Sequence, residues 1–197
     1  DAQESRGLGD VYKRQVLVTR DPKEILAADK VVLPGVGSFG DAMENLHHFG
    51  LVPVIHQVVQ EQTPFLGICL GLQLLFEKSE ESPGVEGLGI LKGEILRIPA
   101  AEGLKIPHMG WNNIRFPNKG RLFAGVPEDA YVYFVHSYYL KAQDEKIVTA
   151  TTEYGTHIHA SVESGNLFAC QFHPEKSSHV GLQILKNFAK LEGKGGR

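Results

Sequence analysis

Residues 63–78 read TPFLGICLGLQLLFEK. A buried-type apolar run, Thr63–Ile68, is predicted to be a strand, and it passes through Gly67-Ile-Cys-Leu-Gly71 into a helix expected over Leu72–Lys78. A nucleophilic residue between two glycines, after a strand and before a helix, matches a nucleophile elbow. The sharp turn forces the central residue, Cys69, into strained backbone angles, and the flanking glycines let neighbouring chains come close. A thiol at that corner also faces the positive end of the helix dipole, which favours thiolate. Cysteine in general is more often a small buried hydrophobe. Its setting here argues for chemistry.

Working outward, Val16–Thr19 reads as a short β-rich run, and Asp21-Pro22 signals the start of a short helix through Ala27 or Ala28. Lys30–Leu33 is a continuous apolar strand that ends in Pro34-Gly-Val-Gly37. Asp41–Leu46 and Leu51–Gln62 have helical character, the latter with Val54, Ile55, Val58 and Val59 on one face. Alternating strands and helices predict βαβ units and a parallel sheet covered on both faces. The second half changes character. Gly89–Ile98, Lys105–Phe116, Ala130–Leu140, Ile147–Glu153, His157–Glu163 and Leu167–Phe172 read as strands, with a hairpin turn at Glu163-Ser-Gly-Asn166. Leu182, Ile184, Leu185, Phe188 and Ala189 are spaced for a terminal amphipathic helix over Gly181–Leu191.

The 197 residues suit about one domain. A formal net charge of −3 offers no footprint for nucleic acid, and no apolar stretch is long enough to span a membrane. Two cysteines, Cys69 and Cys170, are too few for a disulfide scaffold and fit a reducing, cytosolic setting.

A thiolate needs a base. Among nine histidines, His173 in Gln171-Phe-His-Pro-Glu175 stands at the end of a predicted strand, with a carboxylate two residues on. Pro174 stiffens the link, and Glu175 is placed to fix the imidazole as the third member of a triad. His157 and His159 alternate on one strand and His47-His48 are adjacent, but neither pair has the ligand spacing of a zinc site, so no metal is expected. Cys170, inside a strand, reads as core. Pro34-Gly-Val-Gly37 falls at the carboxyl edge of a strand, where open α/β sheets place their sites. Its backbone suits either an oxyanion donor at Val36, partnering the Leu70 N–H, or a phosphate-binding turn, although the lysine of a P-loop is missing.

Taken in order, LPGVGSFGDAM (33–43), TPFLGICLGLQLLFEKSEE (63–81), GLGILKGEILRI (87–98), KIPHMGWNNI (105–114), YFVHSYY (133–139) and ACQFHPEKSS (169–178) resemble the class I (triad) glutamine amidotransferases. Within them, PHMGWN and FVHSYY resemble the glutaminase subunits of imidazole glycerol phosphate synthase, from histidine biosynthesis. The resemblance implies an α/β fold: a flavodoxin-like open mixed sheet flanked by helices, with an antiparallel β-rich second half. It implies a glutaminase with Cys69 as nucleophile, His173 relaying protons, Glu175 orienting His173, and the Val36 and Leu70 N–H groups as oxyanion hole. Gly37, Gln73, Glu81, Ser137 and Tyr138 match positions that hold the substrate L-glutamine, with Glu81 at its α-amino group. Ammonia would pass to a (β/α)8 cyclase subunit, forming a heterodimer, with Trp111 at the interface and no cofactor.

Residues 1–15, DAQESRGLGDVYKRQ, carry no initiating Met, apolar run or clear periodicity. Family members open with a strand, a glycine-rich turn and a helix. The expectation is therefore a foreign or disordered leader followed by a single domain, 16–197, that lacks the family's first strand–helix unit. The alternatives are the glutaminase of a different synthase, a non-catalytic regulatory module of the same fold, and a thiol peptidase-like or chaperone-type α/β protein.

Overall fold

The two apolar runs of the first half pair as expected. In the computed structural model, which describes residues 15–194, β1 (Val31–Leu33) runs parallel to β2 (Phe65–Ile68), with Leu33 opposite Gly67. Three helices lie between or before them: α1 (Pro22–Ala27), α2 (Phe39–His48) and α3 (Leu51–Gln60). Asp21 caps α1 by accepting from the Lys23 N–H, and Ser38 caps α2 through the Asp41 N–H. Short α4 (Leu70–Leu74) follows β2 directly. After it come β3 (Lys78–Ser79), β4 (Gly93–Arg97), β5 (His108–Asn113), β6 (Tyr131–His136), β7 (Tyr138–Ala142), β8 (Val148–Glu153), β9 (His157–Ser164), β10 (Leu167–Cys170) and the closing helix α5 (Ser178–Lys190).

The main sheet has the order β1-β2-β10-β9-β8, parallel across β1, β2 and β10 and antiparallel beyond. Strand β10 thus lies between the first-half strands and the second-half hairpin. The β9–β10 turn is the predicted one, with Ser164 opposite Leu167 and Gly165 at φ +59°. Two smaller units flank this sheet: β3-β4-β7, and the antiparallel ribbon β5-β6.

Alternation along the central strands feeds two cores. Phe65, Leu167 and Ala169 face one that also holds Phe39, Met43, Ile55, Val58 and Phe76 from the first-half helices and the loop beyond. Leu66, Ile68, Phe168 and Cys170 face the other, shared with Phe134 of the ribbon and Ile184, Leu185 and Phe188 of α5. Both faces of the sheet are covered, as a largely parallel sheet requires.

Several expectations need correction. Val16–Thr19 is not a strand: β1 pairs only with β2 among the described residues, so this run has no neighbour, and Val16, Leu17 and Val18 are exposed. The helix predicted over Leu72–Lys78 begins earlier and stops at Leu74, because the carbonyls of residues 74–77 accept from the amides of residues 87–91 instead of continuing the spiral. Residues 89–92 belong to that loop, and the strand starts at Gly93. Ala130–Leu140 is two strands in two different sheets, broken at Ser137. Leu182 lies off the buried face of α5 and is exposed. The leader expected over 1–15 lies, Gln15 apart, outside the described residues. No helix among the described residues is long and apolar enough to cross a membrane.

Candidate active site

The elbow has the strained backbone that its glycines suggest. Cys69, between β2 and α4, has φ 55° and ψ −109°, a conformation that L residues rarely hold. A Cβ on Gly67 would meet the Gly71 carbonyl oxygen at 2.8 Å, and one on Gly71 would meet the Leu33 carbonyl oxygen at 2.0 Å. Both bare positions are occupied by backbone. The Cys69 N–H donates to the Cys170 carbonyl at 2.8 Å, pinning the turn to the neighbouring strand.

That neighbour leads to the predicted base, His173. Because β10 runs parallel beside β2, with Cys170 opposite Ile68, both chains leave the sheet at the same edge. Three residues on, the His173 N–H donates to the Tyr133 carbonyl at 3.0 Å, and the Ser177 hydroxyl donates to the His173 carbonyl at 2.6 Å. Pro174 opens a turn of 3₁₀-helix that returns Glu175 to the ring, with His173 Nδ1 2.6 Å from Glu175 Oε1. Glu175 Oε2 is buried and has no hydrogen-bond partner among the described residues. Burial disfavours the imidazolium, but hydrogen bonds and charge interactions with Cys69 and Glu175 outweigh it, raising the His173 pKa to about 9. With Nδ1 committed to Glu175, Nε2 is the nitrogen left for the Cys69 sulfur. An imidazolium held there stabilises negative charge on that sulfur. Burial instead pushes Cys170 up to about 12, which suits a core thiol.

One predicted oxyanion donor, Leu70, lies beside the turn that carries the other, Val36. Leu70 provides the first amide of α4, which has no intrahelical acceptor, and a Cβ on Gly35 would stand 3.2 Å from Leu70 Cβ. The Pro34–Gly37 turn therefore lies against the elbow, with Val36 87% exposed and Gly37 at φ +100°. Glu81 reaches the start of α2, two residues beyond this turn: its Oε1 accepts from the Phe39 N–H at 2.6 Å, at the positive end of the helix. Gln73, buried on α4, donates from Nε2 to the Tyr138 carbonyl at 3.1 Å. Ser137, the residue at the break between β6 and β7, is half-buried, and the Tyr138 hydroxyl accepts from Arg97 at 3.4 Å.

One residue beside the sulfur escaped the sequence reading. Gln171 is fully buried, donates from Nε2 toward Cys69 Sγ at 3.7 Å and accepts from Gln73 Nε2 at 3.0 Å. Its only sequence signal is an amide in the apolar run LFACQF. Among the described residues no group of three or more His, Cys, Asp or Glu is placed to hold a metal ion.

Trp111 lies on the ribbon that borders this site. His108, Val132, Phe134 and His136 form its buried face, while Met109, Trp111 and Tyr131 are 62%, 52% and 58% exposed on the other. The same β6 strand presents its Val135 carbonyl 3.8 Å from Cys69 Sγ. An outward apolar face thus begins one strand from the nucleophile.

The family model for glutamine amidotransferase class-I matches residues 8–191. The chain is 57% identical, over 176 residues, to the imidazole glycerol phosphate synthase subunit HisH of Moorella thermoacetica, covering 89% of this chain and 83% of that protein. It is 48% identical to the subunit of the same name from Methanocaldococcus jannaschii, covering 90% and 88%. Among solved structures, a crystal structure of a glutamine amidotransferase superposes with a TM-score of 0.71 at 18% identity, over 96% of this chain and 94% of that one. The glutaminase domain of Trypanosoma brucei CTPS with bound acivicin gives 0.67 at 17% identity, over 97% and 87%. At such identities these two likenesses speak to the fold.

Proposed function

From the premise that this chain belongs to the class-I glutamine amidotransferases, we propose that it is the glutaminase subunit of an imidazole glycerol phosphate synthase, working in histidine biosynthesis in the cytoplasm. The observation that carries the reading is the Cys69 elbow set against the buried His173–Glu175 pair.

The Cys69 sulfur attacks the side-chain carbonyl carbon of L-glutamine, forming a C–S bond. The negative charge that develops on oxygen is met by the Val36 and Leu70 N–H groups. His173 then gives its proton to the leaving nitrogen, the C–N bond breaks, and ammonia departs from a thioester. Water, deprotonated by the now neutral His173, adds to the thioester carbon. The C–S bond breaks and glutamate leaves with His173 reprotonated. Glu175 keeps Nδ1–H paired throughout, so that Nε2 remains the nitrogen that exchanges protons. Glu81 receives the α-amino group of glutamine, with Gly37, Gln73, Ser137 and Tyr138 around the rest of the substrate. The partner is the (β/α)8 cyclase subunit, docked over Met109, Trp111 and Tyr131, which uses the ammonia to form imidazole glycerol phosphate and an aminoimidazole carboxamide ribotide.

The test is glutamate release by this chain co-expressed with a cyclase subunit, with and without the cyclase's ligand. Release that rises with ligand and vanishes in Cys69→Ala is expected. A soluble complex that releases no glutamate would overturn the reading in favour of a non-catalytic module or a different synthase.

A further inference from the structure

The two motif segments PHMGWN and FVHSYY place a pair of buried histidines that the reaction above leaves unused. His108 on β5 and His136 on β6 are directly opposite in the ribbon, with His108 Nδ1 3.0 Å from His136 Nε2. His136 Nδ1 lies 2.8 Å from the Tyr138 carbonyl. A carbonyl only accepts, so that nitrogen carries the hydrogen.

Burial lowers both histidines to about 4, so each ring has a single N–H at neutral pH. His136 Nε2 is then an acceptor, His108 Nδ1 the donor to it, and His108 Nε2 an acceptor in turn. Asn112 Nδ2 stands 3.4 Å from that last nitrogen. The Asn112 amide cannot turn over without loss, because Nδ2 also donates to the Glu153 carbonyl at 3.0 Å and Oδ1 accepts from the Asn113 N–H at 2.9 Å. The chain therefore has one sense, Asn112 to His108 to His136 to the Tyr138 carbonyl. Stacking of His108 between Phe134 and Tyr154, with centroids at 4.7 and 3.9 Å, holds the ring plane.

The Tyr138 carbonyl is also the acceptor of Gln73, whose other Nε2 hydrogen goes to Gln171, which in turn donates toward the Cys69 sulfur. Two donor lines meet on one oxygen, two residues beyond the end of β6.

We propose that His108 and His136 are positioning residues for glutamine: through this one-way hydrogen-bond chain they fix the Tyr138–Tyr139 peptide carbonyl and, by way of Gln73, the side-chain amides beside Cys69. The inference rests on the glutaminase reading and adds to it a role for the histidines of both motifs. It also ties the glutamine corner to β5, the strand that carries Met109 and Trp111 outward.

The test uses the complex with a cyclase subunit. His108→Phe keeps the stack and removes the donor; KM for glutamine should rise about tenfold with kcat within about threefold, the loss of one oriented hydrogen bond. His108→Asn keeps an amide donor at the Nδ1 position but loses the stack; it should melt lower yet hold KM within about twofold. An unchanged KM in His108→Phe, or an equal rise in both variants, overturns the proposal. Should either variant fail to fold, ¹⁵N-edited NMR of the unmodified complex decides it. Both imidazoles are expected neutral and Nδ1-protonated from pH 6 to 8, and an Nε2–H tautomer or a charged ring at pH 6 overturns the chain. A wild-type complex that turns over no glutamine would instead bring down the glutaminase reading itself.

Discussion

Replacing Gly71 with Ala probes the elbow where it has least room. The new Cβ would stand 2.0 Å from the Leu33 carbonyl oxygen and 3.1 Å from its carbon. Carbon–oxygen contacts lie at about 3.3–3.6 Å, so β1 and the start of α4 must separate by about 1.3 Å. No rotamer change relieves this, because one atom is fixed to the helix backbone and the other belongs to a strand paired with β2. Overpacking of this kind costs about 3 kcal/mol, the upper end for a single added carbon. At about 2–4 °C per kcal/mol for a chain of this size, the melting midpoint should fall by about 6–12 °C. Leu33 leads into the turn that carries Val36, and Leu70 starts α4, so the same movement pulls the two proposed oxyanion donors apart. A displacement near 1 Å can cost about 100-fold in rate. Gly125→Ala is the control: its φ of +75° is strained for alanine but nothing lies within 4 Å. It should lose about 1–2 kcal/mol with turnover unchanged. The measurements are thermal denaturation and glutamate release in complex with the cyclase. A Gly71→Ala protein that melts within 2 °C of wild type (about 1 kcal/mol or less) and keeps full turnover would refute the steric account of the elbow.

Glu175→Gln should lower kcat by about 10³-fold or more with little change in KM, since the amide no longer fixes the His173 tautomer; an effect under tenfold would contradict the triad. The folded pKa of His173, about 9, lies above its unfolded value near 6.5, so the stability it contributes is complete below about pH 6.5 and is lost as the pH rises through 9. Urea denaturation of wild type and His173→Gln should accordingly show a gap that narrows from pH 6 to pH 9.5, and a widening gap would reverse the sign. Trp111→Ala should leave the melting midpoint nearly unchanged, because the ring is half exposed, while weakening cyclase binding by about 2 kcal/mol or more, as read by titration calorimetry; undiminished affinity would move the interface elsewhere.

The parts of the site legible in the sequence are those written in local chemistry. The elbow is one pentad, and its two glycines occupy the positions where a Cβ would strike backbone. The His173–Glu175 pairing needed only Pro174 and a two-residue spacing. What escaped depends on distant chain. The length of α4 is decided by amides from residues 87–91, and nothing in QLLFEK announces them. FVHSYY reads as one strand because the demand to change sheets at Ser137 comes from two different partners, β5 and β4. Gln171 looks like one polar residue in an apolar run until β2 brings Cys69 beside it. Val16–Thr19 has strand propensity, but with no neighbouring strand among the described residues Val16, Leu17 and Val18 stay exposed.

The place of β10 in the main sheet sets the order in which the parts of the candidate site come together as the chain is made. Cys69 leaves the ribosome about a hundred residues before His173, at a stage when β2 has only β1 beside it. The strand that leads to His173 is also the one that joins the two halves of the sheet, so the event that sets His173 beside Cys69 is the one that joins those halves. A nascent chain at that stage thus holds the Cys69 elbow without the His173–Glu175 pair that the folded molecule sets beside it.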